Sequence, residues 1–313
     1  MGRLDEYVKT PVMNQSLLKL LLISPKAFKF GSSQEESSSL IRGSALDILV
    51  TQGEEAFKNA FYVAKITAPT GKYKLFVDKL FVLSGGEVDE RFYEEAYHHA
   101  DWKREGLQKV IDTFKDKYFE YYKERVKNIG KIGLSDEDWS NTYDMANTIL
   151  TDPFCSQYFK NADFQVPIYG KLLDIDCKAL LDIVIETEDT VQPIDIKTTG
   201  FNVFDFERSY RKFRYDIQAS FYTEILKTKY PDKKILPFKF LVVETALYNP
   251  PLVYEVSEEE LQFGRLGGVS NGIKYRGWED LLKEYSQRMV TQDWEYPLNY
   301  AEHGKTIIMS KSE

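Results

Sequence analysis

The chain has 313 residues, 43% of them hydrophobic, and a formal net charge of −8. That length fills one large or two modest cores without disulfide staples, and the acidic balance excludes a protein that coats nucleic acid over its whole surface, though not one with a local basic groove. No apolar run approaches the roughly 20 residues of a membrane helix, and the opening MGRLDEY is no signal peptide, so a cytoplasmic protein without membrane contact is expected.

In chain order, Asn14 to Phe28 reads as a leucine-rich helix disturbed near its end by Pro25. Gly31 to Ser39 is polar and reads as a loop. Leu40 to Val50 is helical in pattern, as are Glu94 to Asn128 and Asp136 to Leu150. Near residue 163 the pattern changes. Phe164 to Tyr169, Asp176 to Glu186, Val191 to Thr198 and Phe238 to Thr245 are short apolar runs and read as strands. Between the last two, Asn202 to Lys229 reads as one long helix. Its apolar stripe is Phe206, Tyr210, Phe213, Ile217, Phe221 and Ile225, at spacings of three and four. A further helix runs from Trp278 to Met289. The expected fold is α/β: a mixed central sheet flanked by helices over 161–313, with a helical N-terminal part over 1–160, packed as one unit.

The three histidines, His98, His99 and His303, have no metal-ligand spacing. Two cysteines, Cys155 and Cys177, are too few for a four-thiolate zinc or iron–sulfur site and are expected to be reduced and buried. The chemistry concentrates elsewhere, in Pro193-Ile194-Asp195-Ile196-Lys197. Strand alternation puts Asp195 and Lys197 on one face. Thirteen residues earlier Asp182 interrupts the apolar run 179–184, where a charge is costly unless paired or bound to metal. A turn over Glu186 to Thr190 would bring the two carboxylates toward one cation. The plainer alternative is a buried salt bridge between Asp182 and Lys197, and for the D-x-K pattern alone that reading leads. The following helix shifts the balance. Arg211, Arg214, Gln218 and Tyr222, at spacings of three, four and four, form one polar face with two guanidinium groups suited to phosphates.

The order Asp182, Asp195-Ile196-Lys197, Gln218-x-x-x-Tyr222 resembles the PD-(D/E)XK exonucleases of the RecE (exodeoxyribonuclease VIII), RecB and lambda exonuclease type. Ser16-Leu17-Leu18-Lys19 with Ser24-Pro25 and Phe28 resembles the helix that opens RecE-like nucleases, and Gly43-Ser44-Ala45-Leu46-Asp47 resembles their G-S-x-x-H element. Two positions depart from the family: Asp47 stands where it has His, and Gln165 where it often has Glu. The resemblance implies a restriction-endonuclease-like core and a DNA exonuclease, 5′→3′ on duplex DNA, in phage-type recombination. It also implies Mg²⁺ or Mn²⁺ on Asp182, Asp195, the Ile196 carbonyl and Asp47, with Gln165 as a further metal or substrate contact. Lys197 would act on the attacking water, Gln218 and Tyr222 would position it, and Arg211 and Arg214 would hold phosphates. A single-strand annealing protein and further copies of the chain are the implied partners, and no iron–sulfur cluster is expected. The alternatives are a structure-specific endonuclease and an inactive DNA-binding scaffold.

Overall fold

The structure is a computed structural model and describes residues 3–31, 37–85, 89–270 and 272–296. Residues 32–36 of the expected polar loop, and His303, lie outside this set. The chain forms two compact units, one of residues 1–52 with 145–313 and one of residues 53–144. The expectation from sequence was one unit, with a helical part giving way to the sheet near residue 160. The larger unit is discontinuous in sequence, which local patterning does not report.

The N-terminal segment holds α1 (Arg3–Lys9), α2 (Gln15–Ile23) and α3 (Pro25–Phe30). One helix was expected over the last two. Ser24 divides them: its Oγ accepts from the Ala27 N–H at 3.0 Å, and Pro25 starts α3 as a residue with no N–H to lose. Asn14 caps α2 in the same way, accepting from the Leu17 N–H at 2.8 Å. Next comes α4 (Ser38–Ala60), interrupted at Gly53, whose φ of 87° only glycine adopts freely.

The smaller unit continues with β1 (Phe61–Val63), α5 (Gly71–Ser84), α6 (Tyr93–His99), α7 (Leu107–Thr113), α8 (Phe119–Lys127) and β2 (Ile132–Leu134). The expected helical stretch from Glu94 to Asn128 is thus three helices. They close an aromatic core around Phe76, Tyr93, Phe114 and Tyr122. His98 and His99 are exposed on α6.

From α9 (Asp136–Thr151) the chain enters the sheet: β3 (Asp163–Leu172), β4 (Ile175–Glu186) and β5 (Thr190–Thr199). Then α10 (Phe206–Lys212), α11 (Tyr215–Lys229), β6 (Lys234–Ile235), β7 (Lys239–Glu244) and β8 (Leu252–Glu255) follow. The last elements are α12 (Glu258–Leu266), the hairpin β9 (Gly267–Ser270) and β10 (Ile273–Arg276), and α13 (Trp278–Thr291). The main sheet has the order β3-β4-β5-β7-β8, with β6 pairing β5. Strands β4 and β5 are antiparallel; β5 and β7 are parallel and joined through α10 and α11. The fold is therefore the expected α/β arrangement of a mixed sheet flanked by helices.

Two apolar layers enclose the sheet. Ile183, Ile194, Ile196, Leu241 and Val243 pack with Leu46 and Val50 of α4 and Ile149 of α9. Ala179, Leu181, Phe240 and Val242 belong to the other layer, with Ile217, Phe221 and Ile225 of α11, Leu18 and Leu21 of α2, and Leu281 of α13. Each such side chain contributes about 1.5–3 kcal/mol on full burial. Cys155 and Cys177 are free and buried, and burial pushes both thiols up to about 12.

The expected single helix from Asn202 to Lys229 is two. Arg214 takes a left-handed conformation, φ 53° and ψ 53°, between α10 and α11. Phe213 is consequently 48% exposed and leaves the predicted stripe, whose other members are buried. Past this break α11 is buried on nearly all sides, including Asp216, Gln218, Ser220 and Thr223. Gly264 of α12 makes this closeness possible. A Cβ there would fall well inside van der Waals range of the Asp216 carbonyl and 3.0 Å from Ser220 Cβ. Gly264→Ala is expected to destabilise the fold by about 1–3 kcal/mol through overpacking, read as a lower urea midpoint.

Candidate active site

The site is built where strands part. The β4–β5 ladder is registered from Glu186↔Val191 to Ile183↔Ile194 and ends there, one residue short of Asp182 and Asp195. The Ile196 N–H donates instead to Asp182 Oδ2 at 2.8 Å. The β3–β4 ladder also omits the pair Gln165 and Asp182, though Phe164↔Ile183 and Val166↔Leu181 flank it. Gln165 has φ 49°, strained for a residue with a side chain. Here the alternation slips: Phe164 and Ile183 pack in one apolar layer, Val166 and Leu181 in the other. Strict period-two alternation would put Phe164 and Val166 on one face of β3, and Leu181 and Ile183 on one face of β4. The irregularity lets Asp182 and Gln165 reach the same place.

Three carboxylates and their partners meet there. Asp195, 2% exposed, accepts from Gln218 Nε2 of α11 at 2.6 Å and forms an ion pair with Lys197. Lys197 is thus paired with its strand neighbour and not with Asp182, the partner in the plainer alternative. Its ammonium lies 5.0 Å from the Tyr215 ring centre and 5.8 Å from that of Phe240. Gln165 Nε2 donates to both oxygens of Asp47 at 2.9 Å and approaches Asp182 Oδ1 at 3.5 Å. Asp47 is therefore gathered from α4 into the site, and among the described residues no lysine pairs with it. Tyr222 is buried one turn beyond Gln218.

Burial, then repulsion by Asp195, pushes Asp47 up to about 6. Burial, then Asp195 and Asp47, raises Asp182 well above the usual carboxylate range. For Lys197, burial works to lower the pKa, but Asp195, Tyr215 and Asp182 outweigh it and keep the ammonium protonated. Tyr222 is raised by burial and by Tyr7, Asp195 and Asp182, so its phenol stays neutral. The site holds more negative charge than its lysine offsets, and its donors are all oxygen. That chemistry suits a hard divalent cation. Among the described residues no three acidic, His or Cys side chains are already arranged as a ligand cluster. The Gln165 amide lies between Asp47 and Asp182, and the Lys197 ammonium occupies Asp195.

Arg211 and Arg214 are placed otherwise than expected. Arg211 is held by Glu260 through two bonds of 2.7 and 2.5 Å. Arg214, 8% exposed, is clamped on the fully buried Asp216 and donates to the Arg276 carbonyl at 2.6 Å. Both fork geometries that suggested phosphates are spent on carboxylates of the same chain. The break at Arg214 also removes the continuous polar face expected to join them to Gln218 and Tyr222.

Sequence reading placed Lys19 in the family-like opening helix without giving it a role, and missed Tyr215. Lys19 of α2 donates to the Phe213 carbonyl at 3.1 Å. Burial and the nearby Lys197 bring it down to about 8, against the pull of Asp216 and Asp195. Its signal was present, as the one charge within Leu17–Leu22. Tyr215 was hidden in the aromatic run around it.

Residues 90–271 match the model of the PDDEXK-like domain of unknown function (DUF3799), a span holding Gln165, Asp182, Asp195, Lys197, Gln218 and Tyr222. No curated protein gives a significant match. Among solved structures, the chain is similar to a candidate exonuclease of Eubacterium rectale at 13% identity and a TM-score of 0.49, covering 98% of this chain and 88% of that one. It is also similar to the protein SSO0001 at 12% identity and a TM-score of 0.28, covering 67% and 87%. Likenesses this distant carry no argument about activity. The domain match spans more than half of the chain, which therefore belongs to the PDDEXK-like DUF3799 family and, through it, to the PD-(D/E)XK nuclease superfamily.

Proposed function

We propose that the protein is a metal-dependent deoxyribonuclease that degrades linear duplex DNA from its ends, 5′→3′, in recombination or DNA processing of the RecE and lambda exonuclease kind. The observation that carries this reading is the buried group of Asp182, Asp195 and Lys197, with Gln218 locked on Asp195. Asp182, Asp195 and the Ile196 carbonyl would hold Mg²⁺ or Mn²⁺, with Asp47 completing the set. When bound, the cation polarises the phosphate and lowers the pKa of water. Lys197, kept charged, stabilises the negative charge that develops on the phosphate. Gln218 fixes the rotamer of Asp195. Tyr222 supports the lysine face as a neutral group, and Gln165 orients Asp47. A bacterial or phage-infected host cell, a single-strand annealing partner and self-assembly belong to the same proposal and rest on the resemblance of the motifs.

One observation favours a second reading. Gln165 turns its amide hydrogens toward Asp47 where a carboxylate would have added charge for a cation, as suits a DNA-binding scaffold that has lost catalysis. Incubating the protein with linear and closed circular duplex DNA in Mg²⁺, Mn²⁺ or EDTA separates the readings. Linear DNA is expected to disappear with either metal, circular DNA to persist, and EDTA to stop the reaction. Cutting of circular DNA would make the protein an endonuclease. Intact DNA under every condition would leave the scaffold.

A further inference from the structure

Sequence reasoning gave the grip on phosphate to Arg211 and Arg214, and in the structure both are engaged by carboxylates of the same chain. Glu260 holds Arg211, Asp216 holds Arg214, and Lys197 is committed to Asp195. Lys19 in this neighbourhood has no acidic partner among the described residues. Lys19 is half-buried, and among the described residues no carboxylate lies within ion-pair distance of it. An ammonium has three donors. Among the described residues the one hydrogen-bond partner of Lys19 is the Phe213 carbonyl, at 3.1 Å.

The surroundings hold that ammonium in place. Met13, just before α2, zips onto β4: its N–H donates to the Asp176 carbonyl at 3.1 Å, and its carbonyl accepts from the Lys178 N–H at 2.7 Å. Asn14 caps α2, and Leu18 and Leu21 anchor the helix in the core beneath α11. The Phe213 carbonyl is free to accept because α10 ends there and Arg214 turns left-handed. The Phe213 ring lies 5.7 Å from that of Tyr215, whose ring is 5.0 Å from the Lys197 ammonium. Lys19, held on the Phe213 carbonyl, also lies close enough to Lys197 and Asp195 for their charges to act on it, which places it near the reacting centre. Capping one carbonyl does not require a charge, and placing a cation near Lys197 costs free energy that Asp216 and Asp195, which attract it without touching it, offset only in part. A phosphate supplies both the missing charge and acceptors for the two unused donors.

We propose that Lys19 binds a backbone phosphate of the DNA at the reacting centre, where Arg211 and Arg214 are already engaged by Glu260 and Asp216; this rests on the nuclease reading above. Contacts of this kind add to affinity and set the register of the strand without reading its sequence.

The test uses the full chain and its Lys19→Gln, Lys19→Met and Lys19→Arg variants, with melting curves to establish folding. Binding to a labelled linear duplex is measured in Ca²⁺ over a range of KCl concentrations, and degradation of the same duplex in Mg²⁺. One lost phosphate contact lowers the slope of log affinity against log salt by about 0.9. Lys19→Gln and Lys19→Met are expected to show that loss and a fall in degradation rate of roughly 10²-fold, while Lys19→Arg keeps the parent slope and most of the rate. Folded neutral variants with the parent's slope overturn the proposal, whether their rate is kept or lost, because a structural lysine would not change counterion release. A Lys19→Arg variant as impaired as Lys19→Gln overturns it too. If the parent neither binds nor degrades DNA, the nuclease reading fails and the role of Lys19 falls with it. A parent that degrades DNA beside unchanged neutral variants removes this proposal alone.

Discussion

Lys197→Ala is expected to lower DNA degradation by roughly 10²- to 10³-fold while leaving affinity for DNA in Ca²⁺ within a few-fold of the parent. The ammonium is fixed by Asp195 and packed beside Tyr215 and Phe240. Its contribution is to charge that appears only in the transition state, so its loss acts on the rate and not on ground-state binding. The variant also leaves Asp195 buried with only Gln218 as a partner. A lower melting temperature in EDTA, recovered in part by Mg²⁺ or Mn²⁺, is the accompanying expectation. Single-turnover degradation of a labelled linear duplex, set beside a Ca²⁺ binding isotherm, measures both effects. Degradation at the parent rate would remove Lys197 from the mechanism.

Arg214→Ala is expected to destabilise the fold by about 3–5 kcal/mol, the usual cost of breaking a buried pair from one side. Asp216 has no exposure and two of its bonds come from Arg214, at 3.0 and 2.9 Å. Removing the guanidinium also frees the Arg276 carbonyl and takes away the cation that sits 5.2 Å from the Tyr275 ring centre. Had Arg214 been a phosphate contact, the same substitution would have left stability nearly unchanged and reduced the salt dependence of DNA binding. Urea unfolding followed by circular dichroism distinguishes the two: a midpoint within error of the parent would return Arg214 to the nucleic acid. Replacing Arg214 and Asp216 together with apolar residues of similar volume should cost less than the single change, since no charge is then left stranded.

Much of the molecule is legible in its sequence because the signals are local. Short apolar runs located β3, β4, β5 and β7 within a few residues, and the D-x-K spacing put Asp195 and Lys197 on one side of β5. The turn at 187–189 brought Asp182 next to them. Gln218 was marked by its helical spacing to Tyr222 and by the resemblance of that pair to the family's pattern, and its bond to Asp195 follows once α11 lies on the sheet.

Other features follow only from tertiary packing. Arg214 in a left-handed conformation cannot be read from a period, so one helix was expected where two stand and Phe213 was assigned to the core. Charge partners distant in sequence decide what an arginine does: Glu260 lies 49 residues from Arg211. The slip of alternation at Gln165 and Asp182 depends on two strands giving up their ladder together, and it brings Asp47 to the site through an amide 118 residues away. Sequence thus determined which side chains are chemically able to act and which strands carry them, because propensity and alternation are properties of neighbours along the chain. Which cations stay free for a ligand was decided by the folded structure alone, because a charge is available only after every closer partner has been placed.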